Sequence, residues 1–169
     1  MIYIGIDVGK KGVVAILSDS CDRVEVHDMP LTKDGEIDIG GACWLISHES
    51  AWSKVHVVIE RQVAHHRTDK KFAKTINRFS IGRSFGQLEG IAVALAGVSS
   101  ALTYETVPAQ TWQKRLTKHC PGRNQKERSC LVAERLFPDA ALRGPRGGIK
   151  DGRADALLIA EYGRMKVLP

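Results

Sequence analysis

The chain has 169 residues, 43% of them hydrophobic, enough for one domain spanning 1–169 with a sizeable core and too few for two ordinary ones. Its net charge is +6, and its four cysteines form no C-x-x-C pair and no zinc spacing with the six histidines, which excludes a disulfide framework and a zinc module. No apolar run reaches the roughly 18 residues of a bilayer span, and Met1 leads straight into a strand pattern without a signal-like segment. A cytoplasmic protein with no membrane partner is expected.

The opening IYIGID is rich in β-branched residues and reads as a strand; GVVAILS follows after a turn at 9–12, and RVEVHDM alternates as a third strand. Such short gaps predict an antiparallel meander. Beyond Pro30 and an Asp34-Gly35 turn, Asp38 is placed to cap a helix over 38–50 that carries Ala42, Leu45 and Ile46 inward. VHVVIE is a buried fourth strand ending at Glu60.

The longest helical signal covers 69–97, where Phe72, Ile76 and Phe79 form an inward stripe that Leu88, Ile91, Ala92 and Leu95 resume. Gly82, Gly86 and Gly90 repeat every four residues inside it. Glycine costs a helix interior about 1 kcal/mol relative to alanine, so such a ridge favours close packing of another backbone, with a dimer seam as the minority reading. TYETV supplies a fifth strand, and Pro108 opens a short helix containing Trp112. Asn124 and Glu127 form an N-x-x-E start for a helix ending at Phe137-Pro138. A mobile basic loop (RGPRGG) precedes a last helix over 151–165, with Ala156, Ile159, Ala160 and Gly163 on one face. The order of elements predicts an α/β domain with a mixed sheet.

Charge is segregated along this order. Segment 61–83 carries seven basic residues against one acid, and segment 110–153 carries eleven against four. A single basic stretch is usually a solvated helix face; two together favour a polyanionic partner, because neutralised phosphates release condensed counterions.

Four acids fall where chemistry can use them. Asp7 ends the first strand and Glu60 the fourth, each after an apolar run that rejects charge. If those strands are parallel neighbours, the carboxylates meet at one sheet edge. Asp151 and Asp155 stand four apart, so a helix stacks them about 6 Å from each other. A lone acid at a strand end is more often a turn or cap residue, and Asp151 alone reads as a helix N-cap. Four acids gathered together repel and raise one another's pKa unless a cation intervenes, which describes a Mg2+ site. Two such ions about 4 Å apart serve in-line phosphoryl displacement without a covalent nucleophile.

With these residues in place, the sequence resembles the RuvC-type Holliday-junction resolvases, and more closely their phage-borne relatives. The resemblance runs in order through IGIDVGKKG, VVIERQV, SFGQLEGIAVALAG, ETVPAQTWQKRL, NQKERSCLVAERLF and KDGRADALLIAEYG. It implies an RNase H-like fold with a five-stranded mixed sheet, three strands in an antiparallel meander and two parallel, flanked by helices. It implies metal ligation and catalysis by Asp7, Glu60, Asp151 and Asp155, with two Mg2+ per site and Mn2+ as a substitute. It also implies a homodimer that cuts four-way and other branched DNA junctions symmetrically. Lys10, Lys11, Lys118, Arg123, Lys126, Arg146 and Lys150 are the candidate backbone-phosphate contacts. Two features depart from the bacterial pattern: the last two acids are four rather than three apart, and Ala64, His65 and His66 follow Glu60-Arg61-Gln62-Val63 where an aromatic residue is usual.

Three other readings compete. The D-x-G turn after the first strand also occurs in actin-like sugar kinases, but the second phosphate loop and second domain of that fold are missing. A non-catalytic nucleic-acid-binding module would account for the basic segments but would gain by losing the four acids. A general branched-DNA or flap endonuclease shares all the chemistry and differs only in substrate.

Overall fold

The computed structural model describes residues 1–62, 78–144 and 147–167. Five strands, β1 (Ile2–Asp7), β2 (Val13–Ser18), β3 (Val24–Asp28), β4 (Val55–Arg61) and β5 (Leu102–Pro108), form one sheet in the order β3-β2-β1-β4-β5. β1, β2 and β3 are the antiparallel meander, whereas β4 is parallel to β1 and β5 parallel to β4. The first turn works because Gly9 takes a φ of 145° and Gly12 donates its N–H to the Gly9 carbonyl.

Alternation along β1 splits the core into two layers. Ile2, Ile4 and Ile6 face α1 (Ile39–Ser47) and α2 (Arg78–Val98), packing with Ala42, Leu45, Ile46, Leu88, Ile91 and Ala92. Tyr3 and the other face meet α3 (Ala109–Leu116), α4 (Gln125–Leu136) and α5 (Asp151–Val167). Gly5 is decisive on that face. A Cβ there would lie 2.1 Å from the Ala156 carbonyl oxygen and 2.3 Å from the Ala160 nitrogen, so only glycine lets α5 lie directly on β1. Roofed by α3 and α4, α5 is buried on every side from Ala156 to Gly163 rather than along the single face its periodicity suggested.

The structure corrects several local expectations. Asp38 occupies the N-cap position of α1 but its side chain makes no capping hydrogen bond, and the α-helix ends at Ser47, continuing as a 3-10 turn over His48–Ala51. Pro108 sits just outside α3, at its N-cap, instead of in its first turn. Phe79, assigned to the inward stripe of the long helix, is 76% exposed, because the helix first meets the core with Phe85 and Leu88. Phe72 and Ile76 lie outside the described residues. Among the described residues nothing comes within 4 Å of where a Cβ would stand on Gly82, Gly86 or Gly90, so the glycine ridge packs no backbone of its own chain. The loop before α5 is tied rather than loose where described: Gly144 donates to Gly148 and the Arg143 guanidinium bonds both the Gly147 carbonyl and Glu134. The N-x-x-E start of α4 holds: Asn124 accepts from the Glu127 N–H at 3.0 Å, and Glu127 reaches back to the N–H of Arg123.

Candidate active site

Parallel pairing of β1 and β4 sets Ile6 beside Ile59, so the next residues, Asp7 and Glu60, leave the sheet together at the carboxyl ends of adjacent strands. Both lie on the side of the sheet covered by α5, as Val58 two residues before Glu60 does. α5 runs in from the same edge and brings Asp151 and Asp155. This is where open α/β sheets place their ligands.

Each acid has a distinct setting. Burial, followed by repulsion from Glu60, Asp155 and Asp151, pushes Asp7 up to about 8. Its Oδ2 lies against Gly152, where a Cβ would come within 2.9 Å of it. Asp155 is raised to about 6, chiefly by burial; a hydrogen bond from Ser129 on α4 pulls the other way. Its Oδ1 is buried without a hydrogen-bond partner. Glu60 is also raised by burial, and the fully buried Trp112 of α3 donates its indole N–H to Glu60 Oε2 at 3.0 Å. Asp151 behaves oppositely: an ion pair with Lys126 of α4 holds its carboxyl below the usual range.

These side chains are steered from behind. Gln125 donates both to Thr117 at the end of α3 and to Ser129 beneath Asp155, so one amide couples α3, α4 and the site. At the start of α5, Arg153 forks onto both oxygens of Asp28 at 2.9 and 3.0 Å and onto the Ala141 carbonyl. Arg153, then Lys150, push Asp28 down to about 2. The end of β3, the loop and the first turn of α5 are thereby clamped together, which fixes the position from which Asp155 projects.

The cationic residues surround this edge unevenly. Lys10 and Lys11 form the β1–β2 turn, and Lys10 pairs with Glu36. With Lys150, Asp151, Gly152 and Arg153 they line a cleft of about 400 Å³ beside the carboxylates. Lys118 and Arg123 are exposed near the α3–α4 connection. Arg146, Ala64, His65 and His66 lie outside the described residues, as does most of the first basic segment. Trp112, Ser129, Gln125 and the Asp28–Arg153 clamp were not singled out in the sequence. Only Trp112 carried a signal, since a buried indole N–H needs an acceptor.

Among the described residues, no three carboxylate, imidazole or thiol groups converge at ligand distance on one point. The donor set nonetheless suits a hard cation: all oxygen, half-buried, mutually repulsive and with one unpartnered carboxylate oxygen. Magnesium binds through one or two carboxylates and keeps several waters, so it does not require the acids to close up.

The mixed five-stranded sheet with its flanking helices is the fold seen in solved RuvC structures. It is similar to Thermus thermophilus RuvC in complex with Holliday junction substrate, at a TM-score of 0.58 and 13% identity, covering 96% of this chain and 91% of that one. A second Thermus thermophilus RuvC structure aligns at a TM-score of 0.58 and 15% identity over 96% of this chain and 92% of that one. No family model and no curated protein matches the sequence.

Proposed function

We propose that this protein is a divalent-metal-dependent endodeoxyribonuclease that resolves four-way and other branched DNA junctions, acting as a homodimer. The observation that carries the reading is the meeting of Asp7, Glu60 and Asp155, from two strand ends and a helix, at one edge where each carboxyl is held above its ordinary range. A bound cation would offset the mutual repulsion of such a cluster. Those three residues would hold Mg2+ or Mn2+, which when bound supplies an activated water and stabilises the leaving 3′ oxygen.

The protein's own groups do the rest. Trp112 orients Glu60, Ser129 orients Asp155, and the Asp28–Arg153 clamp sets α5. Lys11 and Lys150 line the cleft next to Asp7, a path for a phosphodiester backbone, and Lys118, Arg123 and Lys126 extend the positive rim. The solved relative bound to a Holliday junction favours a four-way substrate for this chain as well. A twofold pair of sites would suit paired incisions in opposing strands.

The test is a substrate panel with Mg2+: four-way junction, three-way junction, flap and linear duplex of matched sequence. Cleavage of the junctions over the duplex is expected, and Asp7→Asn should bind the junction without cutting it. Equal cutting of linear duplex would remove the structure selectivity, and binding without cutting in any divalent metal would leave a DNA-binding module.

A further inference from the structure

The cleft beside the carboxylates has a lining that phosphate binding does not account for. Its apolar part comes from Val13 and Met29, both nearly fully buried, and from Leu31, which is 45% exposed. Leu31 is held rather than loose. It pairs with Ile37 in an isolated β-bridge, and the Thr32 N–H bonds the Glu36 carbonyl at 2.8 Å. The Met29 N–H bonds the Gly12 carbonyl at 2.9 Å, which ties the end of β3 to the β1–β2 turn. Among the described residues, three of the four cations in the lining are already engaged within the protein: Lys10 by Glu36, and Lys150 and Arg153 by Asp28. Two carboxylates, Asp28 and Asp151, share the lining with them. A phosphate seated deep in the cleft would meet these acids and an apolar wall.

A flat, uncharged group suits the cleft better, because its faces pack on Leu31 while its N–H groups find carboxylate acceptors. The volume of about 400 Å³ is at the small end of ligand sites, with room for one unstacked base. The cleft also adjoins the acids directly. A Cβ on Gly152 would stand 2.9 Å from Asp7 Oδ2, 3.5 Å from Val13 Cγ2 and 3.7 Å from the Lys11 carbonyl, so a single glycine separates Asp7 from the lining.

We propose that the cleft holds an unstacked nucleobase, that of a nucleotide next to the phosphodiester being cut, and that Leu31 is the side chain it packs against. The inference rests on the nuclease reading above and deepens it: the phosphates follow Lys11 at the mouth while one base turns inward. Drawing a base out of its stack is costly, and least so where pairing is already broken. A branch point interrupts stacking and a continuous duplex does not, so the contact favours branched DNA.

The test binds the full chain, in Ca2+, to four-way junctions carrying a single 2-aminopurine at each position near the branch point in turn. Unstacking brightens this base, so one position should gain about threefold or more in fluorescence on binding. Leu31→Trp, at an exposed position, sets an indole in the cleft and should quench that one signal by about half or more, with Mn2+ affinity within about threefold of wild type. An abasic nucleotide at the same position should slow single-turnover cleavage in Mg2+ by about 10-fold. No brightened position, or a brightened one indifferent to the indole, would overturn the inference with the nuclease reading intact. Brightening and quenching in a protein that cuts no junction in Mg2+ or Mn2+ would uphold the base site and overturn the nuclease reading. A wild-type protein that binds no junction would overturn both.

Discussion

At the scale of single residues, Asp7 couples the site to pH. Its folded-state pKa, near 8, lies above the ordinary carboxylate value because burial and three acidic neighbours penalise the charge. Below pH 4 the group is neutral in both folded and unfolded chains and imposes no penalty. As pH rises toward 8, the unfolded chain ionises freely while the folded one resists, so stability is lost across that interval. Metal-free protein should therefore show a melting temperature that falls between about pH 4 and 8 through this group, a fall that a divalent cation suppresses. Binding must also displace the proton: Mn2+ titrated at pH 7 in buffers of different ionisation enthalpy should release about one proton per site, and almost none at pH 9. Proton release that did not change with pH would contradict the setting assigned to Asp7.

At the scale of elements, the contact of α5 with β1 decides whether a site exists. Gly5→Val puts a side chain into the backbone of Ala156 and Ala160, which cannot yield as a side-chain tip would. Lifting α5 off the sheet should cost about 3 kcal/mol or more and carry Asp155 away from Asp7, so thermal stability and Mn2+ affinity fall together. Gly90→Ala is the contrasting substitution. It lies on an exposed part of α2 with open space beyond it among the described residues, and alanine should add about 1 kcal/mol to the folded chain. Destabilisation at Gly90, read by denaturant unfolding, would mean that the α2 glycines meet a backbone after all. The antiparallel meander was legible in the sequence because short gaps force hairpins, whereas the parallel pairing of β1 with β4 stood there only as a condition and the fold decided it. Phe79 was misplaced because a 3.6-residue repeat gives the phase of a stripe and not the point along a helix at which the sheet begins.

At the scale of the whole molecule, cations ring the carboxylate edge, with Lys10, Arg123, Lys126 and Lys150 each paired to an acid. The acids that matter collect inside one edge of the sheet while Lys10, Lys11, Lys118, Arg123, Lys126 and Lys150 stand around it on four different elements or loops. On the proposed function, a polyanion would meet this rim first and present its backbone to the carboxylates. Junction affinity should fall with salt by about 0.9 log units per decade for each phosphate neutralised, and Lys118→Gln or Arg123→Gln should each reduce that slope by about one contact without changing Mn2+ affinity. A slope indifferent to both substitutions would place the DNA elsewhere. Among the described residues no helix is long and apolar enough to cross a membrane.

The sequence by itself determined the periodicities, the strand meander, the N-cap of α4 and the acids at the ends of apolar strands, because those depend on near neighbours and on what a buried run will tolerate. It also placed Asp7, Glu60, Asp151 and Asp155 as candidates, the first two because a charge closing a hydrophobic strand is conspicuous and the last two because a spacing of four stacks them on one helical face. Only the tertiary structure decided what stands behind and beside them: Trp112 on Glu60, Ser129 under Asp155, Arg153 on Asp28, and Lys126 on Asp151. Each of those partnerships joins residues between 25 and 125 positions apart in the chain, or crosses from α4 to α5, and no local spacing encodes such a contact. Asp151 and Asp155 looked alike in sequence because both stack on one helical face; the direction of α5 against the sheet and against α4 separates a buried, unpartnered carboxylate from an exposed, paired one.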